Sequence, residues 1–173
     1  ADSELDVASL MGCAVTTGLG IVFNNAQLRP AESIAVFGVG GIGLNVIQGA
    51  ALVNAHPIVA IDLFDHKLQW AKDFGATHTI NAKKENPEEA LKELSQGLGM
   101  DVTVDTTGST LVRQSAYNAT SNIGRTIFAG VPVLGEQISI DSFPLHFGRR
   151  MIGSHGGETR PEVDIARYLK LYQ

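Results

Sequence analysis

Cysteine is nearly missing from this sequence. Cys13 is the only one, so no disulfide can form within the chain, and a reducing, cytoplasmic setting is expected. No apolar run has the length of a membrane span, and no signal-peptide pattern opens the chain, so a membrane partner is not expected. Basic blocks and basic-aromatic interleaving are lacking too. With 13 Lys+Arg against 18 Asp+Glu the net charge is −5, which argues against nucleic acid as a partner. There is no solenoid-type repeat and no low-complexity stretch. What remains is 173 residues, 44% of them hydrophobic, enough for one domain with a full core.

Glycine is plentiful, and its placement is informative. Val36 to Gly43 read V-F-G-V-G-G-I-G, and Asp62 follows nineteen positions after the last glycine. This is a G-x-G-x-x-G dinucleotide pattern with its acidic partner at the usual distance. Gly38 permits a tight turn out of a strand. Gly40, beside Gly41 and Ile42, leaves the backbone bare for a diphosphate. Gly43 lets the next helix pack against the sheet, with that helix's N–H groups and positive dipole end aimed at the phosphates. A carboxylate at Asp62 can accept from both ribose hydroxyls and would repel a 2′-phosphate, which predicts NAD over NADP. The competing role for Asp62 is a helix N-cap. Lys67 either reaches the same ribose or is a solvated surface lysine.

The surroundings suit the motif. Ser33–Phe37 and Ile58–Ile61 are short apolar runs flanking a proline-free helical stretch from Leu44 to Asn54, one βαβ unit in length. Further helices are predicted over Lys67–Phe74, Pro87–Gln96, about 111–120 and Pro161–Gln173. Leu5–Asn24 is helix-compatible, though glycines interrupt it. Further strands are predicted at His78–Ile80, Val102–Asp105, Arg125–Ala129 and Ile138–Ile140, with Met151–Ser154 a possible last short strand. Alternation of this kind implies an α/β fold: a doubly wound, mostly parallel six-stranded sheet with helices on both faces. Ligand is then expected across the carboxyl ends of the strands. There the tips Thr106, Thr107, Gly108 and Ala129, Gly130, Val131 line the crevice beside the nicotinamide ribose, unless they are ordinary turns.

In order and spacing, G-C-A-V-T-T-G (Gly12–Gly18), V-F-G-V-G-G-I-G (Val36–Gly43), A-I-D (Ala60–Asp62), G-A-T (Gly75–Thr77) and A-G-V-P (Ala129–Pro132) resemble the coenzyme-binding domain of zinc-containing medium-chain alcohol dehydrogenases. The resemblance covers essentially the whole chain. It implies that Cys13 is one ligand of a catalytic zinc whose other ligands lie in a preceding domain. It further implies that Thr17 faces the nicotinamide end and that Ile42 backs the nicotinamide ring. Backbone groups of Val131 and Ser154 would hold the carboxamide, with His155 nearby. A catalytic zinc needs three protein ligands and an open position. The five histidines show no metal spacing among themselves, so zinc is expected only in the full-length protein.

The implied reaction is hydride transfer between NAD and an alcohol or aldehyde. The chain starts at Ala1 and stops within a helical pattern, so it is expected to be a single domain, residues 1–173, excised from a longer dehydrogenase and inactive alone. No catalytic residue is assigned within it. The alternatives are a zinc-free quinone or enoyl reductase domain and a non-catalytic NAD-binding module. The extended segment 136–142 is expected at the sheet edge, where it would join two copies into a homodimer.

Overall fold

Along Ile34–Phe37 every residue is buried, yet successive side chains enter different cores, as a pleated strand covered on both faces requires. Ile34 and Val36 join one cluster, Ala35 and Phe37 the other. This is strand β1 of a computed structural model that describes residues 9–172.

The other strands are β2 (Ile58–Asp62), β3 (His78–Asn81), β4 (Met100–Asp105), β5 (Thr120–Phe128) and β6 (Arg150–Gly153). They form one six-stranded sheet in the order β3-β2-β1-β4-β5-β6, with every pairing parallel. The order reverses between β1 and β4, which places a crevice at their carboxyl ends.

Helix α1 covers residues 9–25, with α-helical Thr16–Gly20 between two π turns, Met11–Val15 and Ile21–Asn25. The earlier part of the expected Leu5–Asn24 helix lies outside the described residues. With α2 (Gly41–Leu52) and α3 (Asp65–Asp73), α1 covers one face, through Ile21, Val22, Val46, Ile47, Leu68 and Ala71. The opposite face is covered by α4 (Pro87–Leu94) and α5 (Thr110–Asn118), through Leu91 and Ala116. Asn86 caps α4, its side chain accepting from Glu88 N at 2.9 Å, and Pro87 occupies the first turn where no N–H is needed. Two more helices follow, α6 (Phe143–His146) and α7 (Pro161–Tyr172). Tyr168 of α7 packs with Met11 and Leu19 of α1 in a third cluster.

One expected strand is absent. Residues 138–140 join no ladder, and the edge next to β5 is taken by β6, in register from Arg125↔Arg150 to Phe128↔Gly153. Segment 136–142 joins no strand and reaches helical dihedrals at Ser142, and its backbone is held by side chains of α5. Gln114 Nε2 donates to Ser139 O at 2.8 Å and Tyr117 OH to Asp141 O at 2.6 Å. An alternation of two isoleucines marks extended chain, and it does not distinguish a paired strand from a segment lying along a helix.

Candidate nucleotide-binding site

The three glycines of the fingerprint meet three different demands. Gly38 leaves β1 with φ +93°, and a Cβ there would stand 2.6 Å from Thr106 Oγ1. A Cβ on Gly43 would collide with the Gly38 carbonyl oxygen. Gly40 has φ −95° and open space where a Cβ would be, so nothing in the fold asks for glycine there. Gly40 is also the N-cap of the twelve-residue α2, with no side chain capping that end. The N–H groups of the first turn, from Gly41 through Ile42 and Gly43, therefore lie at a bare helix terminus suited to an anion. Helix α2 begins three residues earlier than the apolar pattern suggests, which brings the fingerprint itself into the helix start.

Asp62 ends β2 beside this turn. Its Oδ2 accepts from Val39 N at 2.8 Å, and its Oδ1 from Leu63 N at 2.7 Å and Phe64 N at 3.1 Å. The N-cap position of α3 is Phe64, so Asp62 is not a helix cap but a bridge between the β2–α3 turn and the glycine turn. Lys67 Nζ stands 3.9 Å from Asp62 Oδ2. Phe64 was not marked by any motif. Its ring lies under two ammonium groups, Lys83 at 4.3 Å and Lys67 at 5.4 Å from the centroid. Asp65 next to it accepts from Lys84 at 2.8 Å and Asn81 at 2.6 Å, and these bonds hold its carboxyl below the usual range.

Across the crevice, Thr106 Oγ1 donates to Phe37 O and Gly38 O at 3.1 and 3.0 Å, so the β4 tip clasps the glycine turn. Thr107 is exposed, and its hydroxyl donates to Asp105. Ala129 N and Gly130 N both donate to Asp105 O at 2.9 Å, which sets the β5 tip against the β4 tip. Val131 is exposed, and with Thr107, Ser109, Thr110 and Glu136 it lines a groove of about 480 Å³. A larger groove, about 980 Å³, opens at the amino ends of the strands around Ser33, Asp101 and Arg149. It contains none of the sequence-predicted residues, so the larger groove and the predicted residues lie at opposite ends of the sheet.

The remaining candidates gather on α1 and behind β6. Thr17 is buried in α1, and its carbonyl approaches Gly157. Ile42 is half-buried at the start of α2 and packs on the core. Ser154 follows β6. Its N–H donates to Phe128 O at 2.9 Å, so its carbonyl is the backbone group left for a ligand. His155 is exposed, and its N–H donates to Glu158 Oε1 at 3.2 Å. Cys13 is exposed on the first π turn of α1. Among the described residues no three His, Cys, Asp or Glu side chains come together, so Cys13 is a single arm and this donor set does not make a metal site by itself. The glycine cradle, by contrast, has the room and the free donors that a diphosphate needs.

A family model described as zinc-binding dehydrogenase matches residues 41–172. The S-(hydroxymethyl)glutathione dehydrogenase of Saccharomyces cerevisiae is 40% identical over 99% of this chain and 46% of its own length. The class-3 alcohol dehydrogenase of Pisum sativum is 36% identical over 98% of this chain and 46% of its own. Among solved structures, benzyl alcohol dehydrogenase from Acinetobacter calcoaceticus superposes with a TM-score of 0.95 at 31% identity, covering 99% of this chain and 48% of that one. The chain thus spans about half the length of the curated relatives it matches.

Proposed function

The chain belongs to the zinc-binding dehydrogenase family, and on that footing we propose that residues 1–173 form one NAD(H)-binding domain of a zinc-dependent alcohol dehydrogenase. The catalytic domain would lie elsewhere in a longer protein. The observation that carries this reading is Gly40: a residue with an ordinary φ and empty space where a side chain would sit, at the bare terminus of α2. A diphosphate lying on the backbone supplies the demand for glycine that the fold does not.

The residues divide the work. Gly38, Gly40, Gly41 and Gly43 hold the diphosphate on the α2 terminus. Asp62 and Lys67 hold the adenosine ribose. Thr106, Thr107 and Ala129 line the crevice, and Thr17, Ile42, Val131 and Ser154 orient the nicotinamide. NAD, when bound, accepts or returns the hydride, and the protein positions it and excludes water. Cys13 contributes one ligand to zinc in the complete protein, where the substrate is an alcohol or aldehyde. The setting proposed is the cytoplasm, in keeping with the single free cysteine. Among the described residues no helix is long and apolar enough to cross a membrane.

Calorimetric titration with NADH and NADPH tests the cofactor reading. NADH should bind at least about tenfold more tightly, and Asp62→Asn should erase most of that preference, since one lost charge-assisted contact is worth about 1.5–3 kcal/mol. Tighter NADPH binding, or no binding of either, would refute it.

The same reading pairs two copies through residues 136–142. That reading is supported by the largely exposed residues of the segment, which lies outside the sheet. Sedimentation at micromolar concentration should give a dimer that Ile138→Asp dissociates. A wild-type monomer would count against it.

A further inference from the structure

Helix α1 and the turn after β6 are joined by side chains that no motif marks. Ser154 Oγ donates to Asn25 Oδ1 at 2.8 Å and itself accepts from Gly157 N at 3.2 Å. Asn24 Nδ2 donates to Gly157 O at 2.9 Å and to Glu158 O at 3.3 Å. Thr159 Oγ1 donates to Thr16 O at 2.8 Å. Beneath these bonds Gly157, at φ +69°, lies against Gly20, and a Cβ on Gly157 would stand 2.8 Å from Gly20 Cα.

Two neighbouring amides of one helix thus hold two different points of one turn. Successive residues of an α-helix diverge widely about the axis. Asn24 and Asn25 end the π turn Ile21–Asn25, a wider coil in which that divergence is smaller, so both can face the same turn. Ser154 is held from both sides, its N–H donating to Phe128 O in the sheet and its hydroxyl to Asn25. Its carbonyl direction is therefore set jointly by the sheet and by α1, the helix that also carries Cys13 and Thr17.

We propose that Asn25, with Asn24 beside it, is a positioning residue for the nicotinamide end of the cofactor, acting through Ser154. This rests on the NAD reading above. Asn25 touches no ligand. It holds the peptide that does, at a set distance from the Cys13 helix.

The test titrates this chain with NAD⁺ and with ADP-ribose, which keeps the diphosphate and both riboses but lacks nicotinamide. The wild type should bind NAD⁺ more tightly than ADP-ribose. Asn25→Ala should weaken NAD⁺ about threefold to tenfold, the size of one lost hydrogen bond, and leave ADP-ribose unchanged. Ser154→Ala, which cuts the same bond from the other side, should do likewise. Asn25→Asp, which keeps the acceptor oxygen, should restore most of the loss. Equal weakening of both ligands, or of neither, overturns the proposal, because a merely structural role moves both alike. A wild type that binds both equally overturns this proposal alone. A wild type that binds neither removes the NAD reading and this inference with it.

Discussion

Asp62 and Asp105 lie in different halves of the sheet, each the last residue of its strand, Asp62 of β2 and Asp105 of β4. Their surroundings differ. Asp105 is fully buried and takes its three donors from its own turn: Thr107 N at 2.8 Å, Thr107 Oγ1 at 2.7 Å and Gly108 N at 3.2 Å. Asp62 reaches out of its own turn to Val39 in the glycine loop and keeps Lys67 within 3.9 Å. A buried carboxylate is tolerable only when donors replace its water, and Asp105 meets that condition locally. Asp62 meets it by tying two loops together at the crevice. The same residue type at the carboxyl end of a strand thus closes one turn and ties two loops together at the other. The donors it finds decide between the two, and residue identity does not.

The widest gap between the two halves should appear on truncation. Asp105→Ala leaves buried N–H groups without acceptors and should lower unfolding free energy by about 3–4 kcal/mol, against about 1–2 for Asp62→Ala, in urea titrations followed by circular dichroism. Equal losses would dissolve the distinction. Within the first half, the glycines sharpen it. Gly43→Ala forces a methyl onto the Gly38 carbonyl and should cost about 2–3 kcal/mol. Gly40→Ala should change stability by less than about 0.5 kcal/mol while weakening NADH binding. A destabilised Gly40→Ala would mean that the fold, not a ligand, requires that glycine.

A carboxylate at the far end of the sheet provides the smallest effect and a control. Glu32 accepts from Arg125 at 2.6 and 3.1 Å and from Arg29 N at 2.8 Å, and Arg125 also donates to the carbonyls of Ala26 and Gln27. Burial pushes the Glu32 carboxyl up, but hydrogen bonds from Arg125 and the Arg29 backbone, with the Arg125 charge, outweigh it and hold it below its ordinary range. A depressed carboxylate stabilises the fold above its unfolded pKa and loses that contribution as pH falls through its folded one. The stability gap between wild type and Glu32→Gln should therefore be constant above about pH 5 and shrink toward acid, with NADH affinity at neutral pH unchanged. A gap that widens toward acid would contradict the assignment.

Much of the site was legible because it is local. The glycine turn, the strand before it and the acid after the next strand fall in one short stretch, and each residue's role follows from its own stereochemistry. Asp105 was passed over because D-T-T-G reads as a turn tip, and nothing in those four letters says that its carboxylate is buried. Arg125 reads as the opening of a strand, yet its partner Glu32 lies 93 positions away. Asn25 sits at the end of an apolar helical stretch, and its partner Ser154 is 129 positions on. The edge strand was misplaced because Ile138 and Ile140 alternate as an edge strand's residues do, whereas Met151 and Ile152 are a short adjacent apolar pair, and only the pairing with β5 separates the two segments.

Periodicity and side-chain chemistry, which act over a few residues, decided that this chain alternates strand with helix, where its bare turn lies and which acid stands beside that turn. Only the folded chain decided which extended segment closes the sheet, which carboxylate is buried and how α1 grips the loop behind β6. Those outcomes depend on contacts between residues far apart in sequence. Their free energies come from desolvation and hydrogen-bond geometry, which no single segment contains.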